Sequence, residues 1–362
     1  MELNKPIKVL VVDDSQVVTQ LVSGIINSDP DLEVMGVASD PFEAVKIMKE
    51  ERPDVVLLDI EMPRMDGLTF LKKIMNQHPL PVVIFSGVVG SGSKNALDAI
   101  RYGAVSVLQK PQHLTGIAMR ELKVNFCETL KGAAAAKARL RILHEHVMAE
   151  NNLKKFSADV ILAKASNFKK SSIFSKKVVL IGASTGGTQA IDFLARYLKP
   201  PLPGILVVQH MPGDFTKAFA DRLNAYSKLL VKEAEDGERV KDNSMYIANG
   251  HLHMLLKRHG ISYNIQLKEG PLVNRHKPSV DVLFRSGARY AGEKAMGILL
   301  TGMGDDGARG LMELKETGAT TLAQDKESSV VWGMPRVAWE SGAAVKLLSL
   351  QQILSEIQNN SK

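Results

Sequence analysis

The chain has 362 residues, 45% hydrophobic and 23% charged, and at roughly 150 residues per domain it can form two domains with cores of their own. This composition excludes wholesale disorder and collagen-like repeats, while a single cysteine, Cys127, excludes an intrachain disulfide or a site built from several thiolates and fits a reducing compartment. The net charge of +7 raises nucleic acid as a partner, but residues 131–177 carry eleven Lys/Arg against three Asp/Glu and account for all of it. No DNA-reading motif accompanies that stretch, so we expect no nucleic-acid binding and read the segment as a solvated tether. The first residues have no apolar signal core, and no apolar run nears the roughly 20 residues of a membrane span. The expectation is a cytoplasmic protein without membrane insertion.

In chain order, short branched apolar runs at Lys8–Val12, Leu32–Val37, Val55–Leu58, Val82–Phe85 and Ala104–Leu108 read as strands buried on both faces. Helical patterns such as Val17–Ile26 and Phe42–Met48 fall between them, which predicts a five-stranded, doubly wound parallel sheet. From 127 to 176 the alternation stops. Leu140, Leu143 and Val147 recur at helical spacing in an Ala/Lys/Arg-rich stretch, and a Lys/Ser-rich stretch follows, so we expect an amphipathic helix and then a flexible linker. A second α/β pattern begins at Lys177, with strands at Val178–Ile181, Ile205–Val208 and Gly297–Leu300 and helices at Gln189–Leu198 and Phe215–Tyr226. No repeat relates the two halves. The predicted organisation is therefore 1–126, a linker over 127–176, and a mainly parallel α/β domain over 177–357.

In the first domain, polar groups cluster at predicted strand ends: Asp13 and Asp14 after the first, Asp59 after the third, Ser86 at the fourth and Lys110 at the fifth. The carboxyl ends of parallel strands form one rim, where ligands gather. Three carboxylates meeting there repel one another, and a hard, oxygen-seeking cation such as Mg²⁺ relieves that repulsion. A carboxylate so neutralised, beside a lysine and a hydroxyl, is equipped to take a phosphoryl group. Each residue alone also fits a helix N-cap or turn; the ordered set is what points to chemistry.

Over residues 6 to 126 this set resembles the receiver domain of two-component response regulators, through residues 9–15, Asp59 with Met62, Pro63, Asp66 and Gly67, and Lys110–Pro111. The resemblance implies a flavodoxin-like fold, phosphorylation of Asp59, and Mg²⁺ held by Asp13, Asp14 and Asp59. Val107 stands where receivers often place an aromatic switch residue three before the lysine, which puts that route from phosphate to surface in doubt.

In the second domain, residues 178–188 read as strand, glycine-rich turn and helix, and Gly182, Ser184 and Gly186 have the Gly-x-Ser-x-Gly spacing. Small residues on both sides let the chain turn sharply and expose the serine hydroxyl to a base, with backbone N–H groups facing a developing oxyanion. The same residues also fit a serine N-cap. A nucleophile needs a base and the base an orienting acid: His210 ends the next apolar strand, and Asp305 and Asp306 lie in the glycine-rich loop after the strand at 297. The order Ser–His–Asp differs from that of α/β-hydrolases.

Together with residues 277–284 and 324–335, these segments resemble the catalytic domain of the chemotaxis protein-glutamate methylesterases, the CheB family, across 177–357. A receiver followed by this domain is that family's architecture. The resemblance implies a Ser184, His210, Asp306 triad, with Asp305 as the alternative acid, and places Thr185 and Met303 at the oxyanion and substrate. It further implies a phosphorylation-activated methylesterase and protein-glutamine deamidase that needs no cofactor for the esterase step. A histidine kinase is the implied phosphoryl donor, methylated chemoreceptors the implied substrate, and the unphosphorylated receiver is expected to cover the esterase site.

Two other readings compete. Tyr290 and Lys294 have the Tyr-x-x-x-Lys spacing of short-chain dehydrogenases, although we expect them on a surface helix, and the glycine turn lacks Gly-x-Gly-x-x-Gly. A non-catalytic response regulator is the other. His251 and His253 lack a third ligand and read as surface or packing residues, and His144 and His146 do not share a helix face.

Overall fold

The computed structural model describes residues 5–62, 66–77, 79–87, 95, 98–100, 102–110, 123, 126–135, 157–162 and 177–359. The chain divides into two compact units, Met1–Glu150 and Asn151–Lys362.

The first unit is built on five parallel strands, β1 (Ile7–Val12), β2 (Leu32–Ala38), β3 (Val55–Leu58), β4 (Val82–Ser86) and β5 (Ser106–Gln109), in the order β2-β1-β3-β4-β5. Branched residues dominate β1 and β3 because these strands are covered on both faces; Val9 to Val12 and Val55 to Leu58 are all buried. Helices return the chain between strands. Ser15 caps Gln16–Ile26 by accepting from the Val18 N–H, and Asp40 caps Pro41–Glu50 by accepting from the N–H groups of Phe42 and Glu43, with proline in the first turn. Residues 126–135, assigned in the sequence mostly to the linker, are helical and pack on this unit: Phe126 meets Phe85 edge-on, and Lys131 pairs with Asp29 at 2.8 Å and Asp31 at 2.9 Å. Cys127 is buried there, and burial pushes its thiol up to about 11. The helix expected around Leu140, Leu143 and Val147, with His144 and His146, lies outside the described residues, as do Pro63 and Pro111.

The second unit carries seven parallel strands: β6 (Val178–Ala183), β7 (Gly204–Gln209), β8 (Leu230–Glu233), β9 (Ser244–Ile247), β12 (Ala295–Leu299), β13 (Thr320–Gln324) and β14 (Lys346–Leu348). Their order in the sheet is β14-β13-β12-β6-β7-β9-β8. An antiparallel hairpin, β10 (His253–His259) with β11 (Ser262–Lys268), stands outside this sheet. Leu180, Leu206, Phe284, Leu299, Leu311 and Met334 share one core, each fully buried and each worth about 1.5–3 kcal/mol in removal from water.

The helix Val280–Tyr290 corrects one expectation. It is no surface helix: nine of its residues are buried, and Gly287 lies where a Cβ would collide with Leu180 Cδ1. Tyr290 ends it, while Lys294 belongs to a separate 3-10 turn, Gly292–Lys294, so the pair does not share a helical face. His251 is exposed and His253 wholly buried, so each histidine takes one of the two expected roles.

Candidate functional site

The central strands assemble the second unit's site. β6 lies between β12 and β7, with Leu299 beside Gly182 and Ala183 beside Gln209. Ser184 and His210 are the first residues past the paired ends of β6 and β7, held side by side by the His210 N–H donating to the Ala183 carbonyl at 3.0 Å. From the other flank the Ser184 N–H donates to the Thr301 carbonyl at 3.0 Å. After Ser184 the chain turns through Gly186, whose φ of +79° suits glycine, and enters the helix Gly187–Tyr197. Ser184 is half-buried at the rim. A Cβ at Gly302 would sit 2.7 Å from Ser184 Cβ, so a glycine there is what lets the loop after β12 approach the serine.

That loop brings Asp306 to His210. His210 Nε2 lies 2.9 Å from Asp306 Oδ2, and Asp306 is wholly buried. Four further donors converge on this carboxylate: Asn274 Nδ2 at 3.0 Å, Ser279 Oγ at 2.8 Å, and the N–H groups of Val280 at 2.7 Å and Asp281 at 3.2 Å. Burial alone would raise the pKa of Asp306, but the His210 hydrogen bond and the other donors outweigh it and hold the group well below the usual carboxylate range. With Nε2–H committed to Asp306, the basic lone pair of a neutral imidazole is on Nδ1. That atom is buried and has no hydrogen-bond partner, so no hydrogen bond joins His210 to Ser184 in this state. Such contacts often form only once substrate is bound.

Several residues around this pair had no role in the sequence. The His276 ring stacks on His210 with centroids 3.6 Å apart and planes 16° from parallel. Asn274, at φ +49°, donates to both Asp306 and Asp281. Burial, and then the Asp306 charge, push Asp281 up to about 7, so the two buried carboxyl groups separate into one anion and one group that holds its proton near neutrality. Buried His253 donates from Nε2 to the Pro271 carbonyl at 2.9 Å and accepts from the Ser279 N–H at Nδ1, which fixes its tautomer, and burial lowers its pKa. The positive φ that sets Asn274 in place cannot be read from the sequence, so no local signal pointed to it.

The remaining sequence candidates fall as follows. Thr185 is buried, its carbonyl accepting from Thr301 Oγ1 at 2.9 Å. Met303 is half-buried in the glycine-rich loop, and Asp305 lies one residue short of the contact that Asp306 makes with His210.

In the first unit, Lys110 Nζ lies 2.7 Å from Asp13 Oδ2 and 2.8 Å from Asp59 Oδ2. Oxygens of Asp13, Asp14 and Asp59 come within 4.8 Å of one another. Burial is the largest influence on Asp59 and raises its pKa against the opposing pull of Lys110. Burial works to lower Lys110, but its two carboxylate partners outweigh that and hold it above the usual lysine range. Asp13 Oδ2, buried and ion-paired, has no donor aligned on it. Three converging carboxylates, one with an oxygen short of donors, are a donor set that suits a hard divalent cation. Ser86 is wholly buried and its hydroxyl donates to the Gly87 carbonyl at 3.2 Å; Val107 is buried in β5.

Comparison with known proteins agrees with both halves. Residues 179–357 match the CheB methylesterase family and residues 9–120 the response regulator receiver domain. A protein from Geobacter metallireducens named protein-glutamate methylesterase/protein-glutamine glutaminase 3 is 50% identical over 98% of this chain and 98% of its own. One of the same name from Shewanella oneidensis is 47% identical over 97% of this chain and 98% of its own. Among solved structures, the CheB methylesterase catalytic domain of Thermotoga maritima is 41% identical with a TM-score of 0.49, covering 51% of this chain and 98% of that one. No helix among the described residues is long and apolar enough to cross a membrane. On the near-full-length identity to these relatives, the chain belongs to the CheB methylesterase family, a receiver domain joined to an esterase domain.

Proposed function

We propose that the chain is a phosphorylation-activated protein-glutamate methylesterase that also deamidates protein glutamine, with Ser184 as nucleophile, His210 as base and Asp306 as the orienting acid. The observation that carries this reading is His210 itself: Nε2 is tied to Asp306 at 2.9 Å, and Nδ1 is left bare next to the strand end that bears Ser184.

Ser184 Oγ attacks the γ-carbonyl carbon of a glutamate methyl ester while its proton passes to His210 Nδ1. The imidazolium so formed is stabilised by the Asp306 anion. Backbone N–H groups around Thr185 and Met303, beside the start of the Gly187–Tyr197 helix, are the donors assigned to the oxyanion. Collapse of the tetrahedral intermediate breaks the C–O bond, and methanol leaves with the proton from Nδ1. A water molecule then gives a proton to Nδ1 and its hydroxide to the acyl carbon; collapse of this second intermediate breaks the acyl C–Oγ bond, Nδ1 returns the proton to Ser184 Oγ, and a glutamate leaves. With glutamine as substrate the leaving group is ammonia.

The substrates are methylated glutamates of chemoreceptor cytoplasmic helices, and a histidine kinase supplies the phosphoryl group to Asp59. Asp13, Asp14 and Asp59 would hold Mg²⁺, whose chemistry there is to neutralise the carboxylates and the incoming phosphoryl oxygens. Lys110, which pairs with Asp13 and Asp59, would hold the phosphoryl oxygens as well, and Ser86 is the hydroxyl assigned to them.

Methanol release from methylated receptor membranes, with and without a small phosphodonor, tests the assignment. Wild type should release methanol faster with the donor, and Ser184→Ala should release none. Fluorophosphonate labelling of Ser184 that is lost in His210→Ala excludes a non-catalytic regulator. Activity retained in Ser184→Ala would overturn the mechanism.

A further inference from the structure

A short piece of the chain N-terminal to β6 packs against the segments that carry Asn274, His276 and the start of the Val280–Tyr290 helix. Residues 157–162 form a capped 3-10 turn, Ala158–Val160, with the Asp159 N–H donating to Ser157 Oγ at 3.2 Å. The turn is fastened to the esterase unit by both polar and apolar contacts. Arg285 Nη1 donates to Asp159 Oδ1 at 2.7 Å and to the Leu162 carbonyl at 3.1 Å, while its Nε is fixed by Glu313 at 2.9 Å. Lys268 Nζ donates to the Ile161 carbonyl at 2.9 Å. Arg285 and Glu313 are both nearly fully buried, and Glu313 holds the Arg285 fork alongside the turn. Ile161 is buried with Ala158, Leu255, Val273 and Val282, and reaches over Gly270, where a Cβ would collide with its Cδ1.

Two members of this cluster, Val273 and Val282, adjoin residues that hold His210 and Asp306. Val273 exchanges backbone hydrogen bonds with His276, at 3.0 and 2.9 Å, closing the turn that presents Asn274 to Asp306 and His276 to His210. Val282 lies in the first turn of the helix whose leading N–H groups, Val280 and Asp281, hold Asp306. Gly270 is followed by Pro271, whose carbonyl orients His253 and, through it, the Ser279 N–H.

We propose that residues 157–162 are a positioning element of the esterase: Ile161 and Asp159, docked on Val273, Val282 and Arg285, hold the 270–276 turn and the start of the Val280–Tyr290 helix in the register that the His210–Asp306 pair requires. The proposal rests on Ser184, His210 and Asp306 as the reacting groups. A close-packed cluster transmits the loss of a side chain as a shift of its neighbours, and small misplacements of reacting groups cost large factors in rate.

The test uses the full chain. Ile161→Ala should lower kcat for methanol release by about tenfold or more with KM within about twofold, and slow fluorophosphonate labelling of Ser184 in step. Hydrogen exchange at the amides of Val280 and Asp281 should accelerate. Asp159→Asn should move all three readouts the same way by less, and Val160→Ala, at an exposed position of the same turn, none of them. Ile161→Ala at wild-type kcat and labelling overturns the proposal, as does lost activity with unchanged exchange at 280 and 281. If Ile161→Ala does not fold, Asp159→Asn at wild-type values overturns it alone. A wild-type chain that neither releases methanol nor labels refutes the methylesterase reading instead, and the exchange comparison still decides the coupling.

Discussion

Replacing Asp306 by asparagine isolates the charge from the shape. The amide oxygen of the new side chain can keep the donors from Asn274, Ser279 and Asp281, but its NH₂ group then occupies the place of Oδ2, which faces the Val280 N–H at 2.7 Å and His210 Nε2 at 2.9 Å. To avoid two donors meeting, the imidazole must present a lone pair at Nε2 and carry its proton on Nδ1, where it can no longer accept one from Ser184. The imidazolium also loses its counter-charge: at 2.9 Å and an effective dielectric of about 20, that interaction is about 6 kcal/mol. Converted to rate, this is roughly four powers of ten. We expect Asp306→Asn to lower kcat for methanol release by roughly 10³–10⁴-fold with the receptor KM little changed, and to slow fluorophosphonate labelling comparably. Asp305→Asn should stay within about threefold of wild type, since the neighbouring residue makes the contact with His210. Activity of Asp306→Asn within about tenfold of wild type, or an equal loss in Asp305→Asn, would refute this assignment of the acid.

Gly302→Ala would place a methyl group 2.7 Å from Ser184 Cβ and in collision with Met334 Sδ, so methanol release should fall by at least about a hundredfold while near-native secondary structure persists by circular dichroism; wild-type activity would contradict the close approach. Asp59→Asn should keep basal methanol release and lose stimulation by a phosphodonor, and any stimulation that survives would move the acceptor elsewhere. Chelating divalent cations should abolish phosphoprotein formation without changing basal methanol release, and phosphorylation at full rate in the chelator would exclude Mg²⁺ at the acidic cluster. Asp281, pushed up to about 7 by burial and the Asp306 charge, binds its proton more tightly folded than unfolded. The stability it contributes is therefore present below the ordinary carboxylate range and lost as pH rises towards about 7. The Tm of Asp281→Asn relative to wild type should accordingly climb between about pH 4.5 and 7.5, and a flat or falling difference would refute the shift.

Periodicity and strand-end chemistry made much of this molecule legible. The runs at Val55–Leu58 and Ile205–Val208 read as doubly buried strands because they are, and Ser184, His210 and Asp306 each follow a strand of the same sheet. Composition misled in the linker: Ala158, Asp159 and Val160 are too short a turn for any periodicity to show, and what fixes them is Arg285, 126 positions away. No strand pair is expected from the sequence at the hairpin β10–β11. Asn274 and His276 owe their place to a turn with positive φ, and Asp281 to burial by a helix whose sequence looks amphipathic but whose surface is covered nearly all round. Such roles come from what packs against a residue, which no local window contains.

The sheet order has a consequence for how the chain is made. Thr301, which pairs with the turn after β6, is 116 positions downstream of Thr185, and β12 covers an edge of β6 that stays open until then. On a ribosome the strand that leads into Ser184 therefore emerges long before this neighbour, with one ladder of backbone donors and acceptors unprotected. Hydrolytic competence thus comes late in synthesis, and a product terminated before β12 leaves that edge of β6 open to aggregation and yields no stray esterase.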